Sequence, residues 1–183
     1  MGNGEAELLR SAQSGDDRAF GRLVAPYVDP AYRMAARILG GRPEAEDAVQ
    51  EALYRAWRAL PSFRGDAKFS TWLYRIVWRV SVNLVRRDEC VPLDADLADA
   101  AGERDPEQRF EAVERQGEVE RAIRSLPVHY RAAVTLHYVE DLPLREIAEI
   151  LELPEGTVKT HLHRARKALK EKLSELAGRE ERG

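Results

Sequence analysis

Residues 144–173 read LREIAEILELPEGTVKTHLHRARKALKEKL, and this stretch decides the fold. It predicts two short helices joined by a tight turn. In LREIAEIL, the residues Leu144, Ile147, Ala148 and Leu151 share one face at helical spacing. Pro154 and Gly156 interrupt the pattern, and proline is tolerated at a helix start. In the second segment Val158, Leu162, Ala165, Leu169 and Leu173 form an apolar stripe. Stepping about 100° per residue puts Thr160, His163, Arg164 and Lys167 on the opposite face, with Lys159 and Lys170 beside them. From Thr157 to Lys172 there are six Lys or Arg and one acid, Glu171. Two helices, a short turn and a cationic outer face suit a helix-turn-helix that lays one helix in the major groove. Lys and Arg neutralise phosphate, and Arg also pairs bidentately with guanine. The competing reading is a helical hairpin with a solvated basic face. The punctuated turn, and the small Ala148 where two helices must cross closely, favour DNA binding.

The rest of the chain sets the context. Its 183 residues suit one large or two small domains, and 44% hydrophobic with 33% charged residues suggests a soluble, helix-rich protein. No apolar run is long enough to cross a membrane. The N-terminal MGNGEAELLRSAQSGDD carries acids and no apolar segment, so it does not read as a secretory signal, and Ala6 breaks the myristoylation pattern. Cys90 is the only cysteine, which fits a reducing, cytoplasmic setting, and we read it as incidental. The net charge of −3 argues against a DNA binder until it is divided by segment. Residues 1–87 hold 14 basic and 10 acidic side chains, residues 88–115 hold 3 and 10, and residues 116–183 hold 12 of each. The average hides a basic surface at either end of an acidic middle. Within that middle, DECVPLDADLADAAGERDPEQ (88–108) is Asp-rich, poor in large apolar residues and without period, so it reads as a linker. An all-α chain of two small helical domains follows.

The N-terminal half suggests at least four helices. One starts at Asp16–Asp17 and carries Phe20, Leu23, Val24 and Tyr27; a second runs from about Pro30 to Leu39 and stops at Gly40–Gly41. A third, from Pro43 to about Ala59, turns Val49, Ala52, Leu53, Ala56 and Trp57 inward and Glu46, Asp47, Gln50, Glu51, Tyr54 and Arg58 outward. The fourth reaches Arg87, with Ser70 as expected N-cap and Phe69 expected to staple against Tyr74. Leu73, Ile76, Val77, Val80 and Leu84 face inward, while Arg75, Arg79, Asn83 and Arg86 or Arg87 form a polar stripe. The preceding loop offers Phe63, Phe69 and Trp72 with Arg64 and Lys68. Aromatics interleaved with cations suit a single nucleic-acid strand, because every base has a face to stack and a phosphate to neutralise. Against this, Trp57, Trp72 and Trp78 also suit a core. In the last region a helix over about 116–125 and another over 128–139 support the helix-turn-helix through Val119, Ile123, Val134 and Leu136.

Three blocks in order, DAVQEALYRAWRAL, FRGDAKFSTWLYRI and LPLREIAEILELPEGTVKTHLHRARKAL, resemble the extracytoplasmic-function (ECF) group of bacterial RNA polymerase sigma factors. The resemblance covers nearly the whole chain. It implies a sigma domain two over residues 1–88, an acidic linker over 89–115 and a sigma domain four over 116–183. It implies binding to core RNA polymerase, reading of the −35 element by domain four, and opening and reading of the −10 element by domain two. Carried over by position, Asp47, Gln50, Glu51, Arg55 and Arg58 match the segment that docks on the polymerase clamp. The loop from Phe63 through Arg64 and Lys68 to Phe69, with Trp72, matches the one that captures a flipped base. Arg75, Arg79, Asn83, Arg86 and Arg87 match the promoter-facing helix. Lys159, Thr160, His161, His163, Arg164 and Lys167 match the −35-reading positions. The linker would thread toward the polymerase active-site cleft. An anti-sigma partner is expected, as is closure of the two domains on each other in the free protein. Two positions depart from the pattern: His161 stands where many relatives have Arg, and Glu152 where the turn often has Gly.

Other classes fit less well. A plain two-domain regulator would share the helix-turn-helix, but a receiver domain would alternate strands and helices around a phosphate-accepting Asp. An enzyme would need a constellation that is missing. His129, His137, His161 and His163 make no metal pattern, and His161 and His163, two apart on a helix, point about 160° from each other. There is no Gly-rich phosphate loop or nucleophile elbow. No cofactor or metal is expected, and catalysis would belong to the polymerase.

Overall fold

A computed structural model describes residues 3–40, 43–89 and 117–180. The described elements are α1 (Asn3–Gln13), α2 (Asp17–Ile38), α3 (Ala45–Ala59), a 3₁₀ turn (Leu60–Ser62), α4 (Phe69–Glu89), α5 (117–124), α6 (Val128–Val134) running into a π-helical turn (Thr135–Val139), α7 (Leu144–Leu151) and α8 (Glu155–Glu180). No strand occurs among the described residues. The linker and Cys90 fall almost entirely outside them.

Helix α2 opens on Asp16, whose carboxylate accepts from the backbone N–H of Arg18 at 2.9 Å and of Ala19 at 3.1 Å. These bonds, with one from Ser11, hold its carboxyl below the usual range. The two helices expected on either side of Pro30 are a single helix with Pro26 and Pro30 inside it. Pro26 lies on the exposed side, where water can satisfy the carbonyl that its ring leaves without a donor. Burial of Leu23 and Val24 before the prolines, and of Ala31, Met34, Ala35 and Ile38 after them, holds the two halves in one line. Gly40 closes the helix at φ +74, and a Cβ there would also come within 3.2 Å of the Arg131 guanidinium. The N-terminal helix α1 was not expected. Leu9 and Ala12 bury against α2, a pattern that two residues in a short polar stretch hardly announce.

Helix α4 is the centre of the molecule. It begins at Phe69, one residue ahead of the expected Ser70 cap, so Ser70 lies in its first turn. Phe69 packs on Tyr27, Phe63 and Trp72 in place of the expected staple with Tyr74. Around it lies a cluster formed with Leu9, Leu23, Ala56, Leu60 and Leu73. A second buried cluster starts in α2, α3 and α4 with Met34, Ile38, Val77 and Trp78 and continues without a break into Leu136, Ile147, Ile150 and Val158. The C-terminal helices therefore rest directly on the N-terminal ones. Val119, expected in the core, is 40% exposed, while Ile123 is buried.

Charge follows the same seam. Arg33 pairs with Glu140 at 2.9 Å and Arg37 with Glu120 at 2.7 Å; Lys68 pairs with Glu146 and Arg79 with Glu152. In each of these four, the cation belongs to the N-terminal half of the chain and the carboxylate to the C-terminal half. The basic excess of residues 1–87 is thus met partly by acids more than 70 residues away in sequence.

Candidate nucleic-acid interface

The helix-turn-helix is built as its apolar stripes require. On α7, Ile147, Ala148, Ile150 and Leu151 are buried. The turn is made by Glu152 in the left-handed region at φ 57, ψ 43, and Leu153 N–H returns to the Ala148 carbonyl at 3.0 Å. On α8, Val158, Leu162 and Ala165 are buried, so the helix can face only one way. Lys159, Thr160, His163, Arg164 and Lys167 are then exposed together. Arg166 and Lys170 are exposed as well, and Arg166 is a cation that the sequence reading did not single out. Thr160 donates its hydroxyl hydrogen to the Gly156 carbonyl at 2.9 Å, leaving the oxygen lone pairs outward. An Arg164 Nη1 donates to the Tyr130 hydroxyl at 3.4 Å, a long and weak bond that restrains the side chain without burying it.

His161 does not share that face. It is half-buried against α6, with its ring 5.0 Å from Tyr130 and 5.9 Å from His129. His129 in turn meets Trp78 of α4 edge-on at 5.2 Å. Neither imidazole Nδ1 has a hydrogen-bond partner among the described residues. Burial first, and then Arg86, lowers the pKa of His129; burial, His129 and Arg164 lower that of His161. Both rings are therefore favoured neutral in the folded protein. Protonation places a charge beside Arg86 at His129 and beside Arg164 at His161. Since the folded pKa lies below the unfolded one, stability is flat above the usual histidine value near 6.5 and falls as pH drops through it. Urea midpoints at pH 7.5 and 5.5 should show this loss, and His129→Phe should flatten it. An equal pH dependence in the variant would remove His129 as its source.

On the N-terminal side, α4 presents Arg75, Arg79, Asn83, Arg86 and Arg87 along one side, with Arg75 half-buried and the others exposed. Arg64 and Lys68 are exposed in the loop, but Phe63 is 9% and Phe69 0% exposed, and Trp72 is half-buried between them. Phe63 lies 5.0 Å and Phe69 5.7 Å from Trp72, ring to ring. In this arrangement the aromatics brace the loop from beneath and its cations face outward. Gln13 adds to the brace, donating from its side-chain nitrogen to the carbonyls of Leu60 at 3.2 Å and Phe63 at 2.9 Å. Sequence reasoning missed Gln13, since nothing local links it to a loop about 50 residues on.

Helix α3 turns Asp47, Gln50, Glu51, Tyr54, Arg55 and Arg58 outward. Arg55 donates to Glu51 one turn back at 2.7 Å, and the Arg58 guanidinium sits 5.9 Å from the Tyr54 ring centre. Asp47, Glu51 and Arg55 line one wall of a groove whose other wall holds Asn83 and Arg87 of α4. These α3 residues and the far end of the arginine stripe are therefore neighbours. Among the described residues no group of three or more His, Cys, Asp or Glu side chains could hold a metal ion, and no helix is long and apolar enough to cross a membrane.

A helix-turn-helix with a cationic second helix, joined to a helical unit with an arginine stripe beside an aromatic-braced loop, is the arrangement of a DNA-binding protein. Comparison with known proteins narrows this. Residues 23–89 match the family description Sigma-70 region 2, and residues 116–169 match Sigma-70, region 4. The ECF RNA polymerase sigma factor SigW of Bacillus subtilis is 37% identical over 179 residues, covering 92% of this chain and 96% of that protein. The ECF RNA polymerase sigma-E factor of Escherichia coli K12 is 35% identical over 183 residues, covering 94% and 95%. Among solved structures, CnrH in complex with the cytosolic domain of CnrY superposes with a TM-score of 0.70 at 27% identity, covering 94% of this chain and 98% of that one. The chain belongs to the ECF RNA polymerase sigma factors. It is a regulatory initiation factor and not an enzyme: it joins core RNA polymerase and directs initiation of transcription at specific promoters.

Proposed function

We propose that residues 1–88 form the unit that holds core polymerase and opens and reads the −10 element, that residues 116–183 read the −35 element, and that 89–115 connect them within the polymerase. The observation that carries this reading is the division of α8: Val158, Leu162 and Ala165 are buried while Lys159, Thr160, His163 and Arg164 are exposed along the opposite side. A helix held in that way presents its N-terminal half to base edges. His161 serves as packing for that helix and not as a reader. In the N-terminal unit, Arg75, Arg79, Asn83, Arg86 and Arg87 take promoter phosphates and bases, with Arg64 and Lys68 on the displaced strand. Phe63, Phe69 and Trp72 hold the loop that presents those two cations. The protein works in the cytoplasm, where core polymerase is. CnrH is held by the cytosolic domain of CnrY, and we extend to this chain a restraining protein partner of the anti-sigma type.

Asp47, Gln50 and Glu51, with Arg55 and Arg58, form the clamp-binding face. Charge complementarity of this sort governs encounter rate and register. Asp47→Arg with Glu51→Arg should therefore abolish run-off transcription from a promoter library and weaken core binding, with circular dichroism unchanged. Unchanged core affinity in a folded variant would reject this face. Run-off by the wild type, dependent on core polymerase, tests the reading as a whole.

A further inference from the structure

The segment 64–68 forms neither helix nor strand, and Arg64, Gly65, Asp66 and Lys68 on it are exposed. A short loop of this kind takes its shape from the scaffold that holds its two ends. Both ends are held from α1. At the start, the Gln13 side-chain nitrogen has two hydrogens and donates to the Leu60 carbonyl at 3.2 Å and the Phe63 carbonyl at 2.9 Å. The Leu60 carbonyl also accepts from the Phe63 N–H at 3.0 Å. The Gln13 amide therefore closes the 3₁₀ turn, and it fixes the peptide plane that leads into Arg64. At the other end, Phe69 packs on Tyr27 with 5.8 Å between ring centres, and the Tyr27 hydroxyl donates to Glu5 of α1 at 3.2 Å. Glu5, Leu9 and Gln13 recur every four residues, so one face of α1 serves both ends, with Leu9 buried between them. The chain just beyond Gln13 is held too. Gly15 N–H returns to the Ala12 carbonyl at 3.0 Å, and the Ser11 hydroxyl donates to the Asp16 carboxylate at 3.0 Å.

We propose that Gln13 is a positioning residue for promoter opening: through the Phe63 carbonyl it sets the direction in which the loop carries Arg64 and Lys68 to the displaced strand. The inference rests on the assignment of those two cations to that strand. It gives α1, which carries none of the DNA-facing residues, a part in the same step. Gln13 is neutral and half-buried, and its amide hydrogens are engaged by the two carbonyls, so its effect on DNA passes through the loop. A glutamine that only filled space would tolerate methionine, a neutral side chain of the same length.

The test uses the full chain bound to core polymerase. The probe is the single-stranded non-template −10 segment of a promoter taken from the run-off library, with the −35 duplex of that promoter as control. Gln13→Met removes both donors and keeps length and neutrality. Gln13→Asn keeps the amide but falls one methylene short of the two carbonyls. Each should weaken the single strand about three- to tenfold, the loss expected for one or two neutral hydrogen bonds. Affinity for the −35 duplex, core binding and circular dichroism should not change. The deciding readout is salt. The salt slope on the single strand should fall by roughly one ion although no charge has been removed, because a loosened loop no longer holds a cation against phosphate. With Arg64→Ala and Lys68→Ala already in place, Gln13→Met should add nothing, since all three changes act on one contact. Wild-type affinity and salt slope in both Gln13 variants overturn the proposal. So does a loss shared equally by the −35 duplex, or one that adds in full to that of the Arg64→Ala, Lys68→Ala pair. If that pair itself binds the single strand as wild type does, the assignment of the loop to the displaced strand fails, a result that no Gln13 variant alone can produce.

Discussion

Phe69→Ala is expected to destabilise the N-terminal unit by about 3–5 kcal/mol, the usual cost of emptying a fully buried aromatic site. The side chain is 0% exposed and touches Tyr27, Phe63 and Trp72 by ring contacts. Helices on both sides of it are continuous, so they cannot simply collapse into the space. The chain offers a clean readout, because its three tryptophans, Trp57, Trp72 and Trp78, all lie in the first 88 residues. Urea unfolding followed by tryptophan fluorescence therefore reports this unit. Phe63→Ala, at a site 9% exposed and nearer the loop, should cost less. The same variant tests function, since losing the brace loosens the loop that carries Arg64 and Lys68, and promoter opening should fall even at temperatures where the unit stays folded. A loss of stability below about 1 kcal/mol, well under the range for such sites, would mean that Phe69 is not the keystone of the cluster.

The second large effect falls on specificity. Arg164 stands exposed near the N-terminal half of α8, with a 3.4 Å contact to the Tyr130 hydroxyl. Leaving that contact costs little, so the guanidinium is available for a base edge. Arg164→Ala should cost about 1–3 kcal/mol on the preferred promoter and flatten the preference at one −35 base pair. Lys170 lies well over a turn further along, beyond Lys167, which is itself 4.0 Å from Glu171. Lys170→Ala should weaken all sequences alike and reduce the salt slope by roughly one ion. Binding across single-base −35 variants at several salt concentrations distinguishes the two. If Arg164→Ala lowers every variant by one common factor, Arg164 is an anchor and the readers lie elsewhere on the helix.

How much of this was legible beforehand depends on the range of the interaction. The inner and outer faces of α3, α7 and α8 follow from apolar spacing alone, and the structure buries Val49, Ala52 and Ala56 on α3, and Val158, Leu162 and Ala165 on α8, as that spacing requires. The resemblance marked the Glu152 position as one where the turn often has Gly, and the structure gives it a positive φ. Less visible was α2. Two prolines four residues apart argue for a break, and only the packing on both sides of them overrules it. The loop aromatics were ambiguous for a related reason. A phenylalanine between cations suits a stacking platform and a core equally well, and in Phe63 and Phe69 burial decides.

By itself, the sequence determined the all-helical class, the cationic second helix of the helix-turn-helix and the polar outer face of α3. Each is written within a few turns of one helix, where period and turn chemistry act on neighbours. Only the tertiary structure decided what covers α4. Its arginine stripe reads as a DNA face in isolation, yet Arg75 and Arg79 meet Glu149 and Glu152, 74 and 73 residues away along the chain. No periodicity encodes that meeting. It arises because the apolar core runs unbroken from α4 into α7 and brings the two charged edges into register.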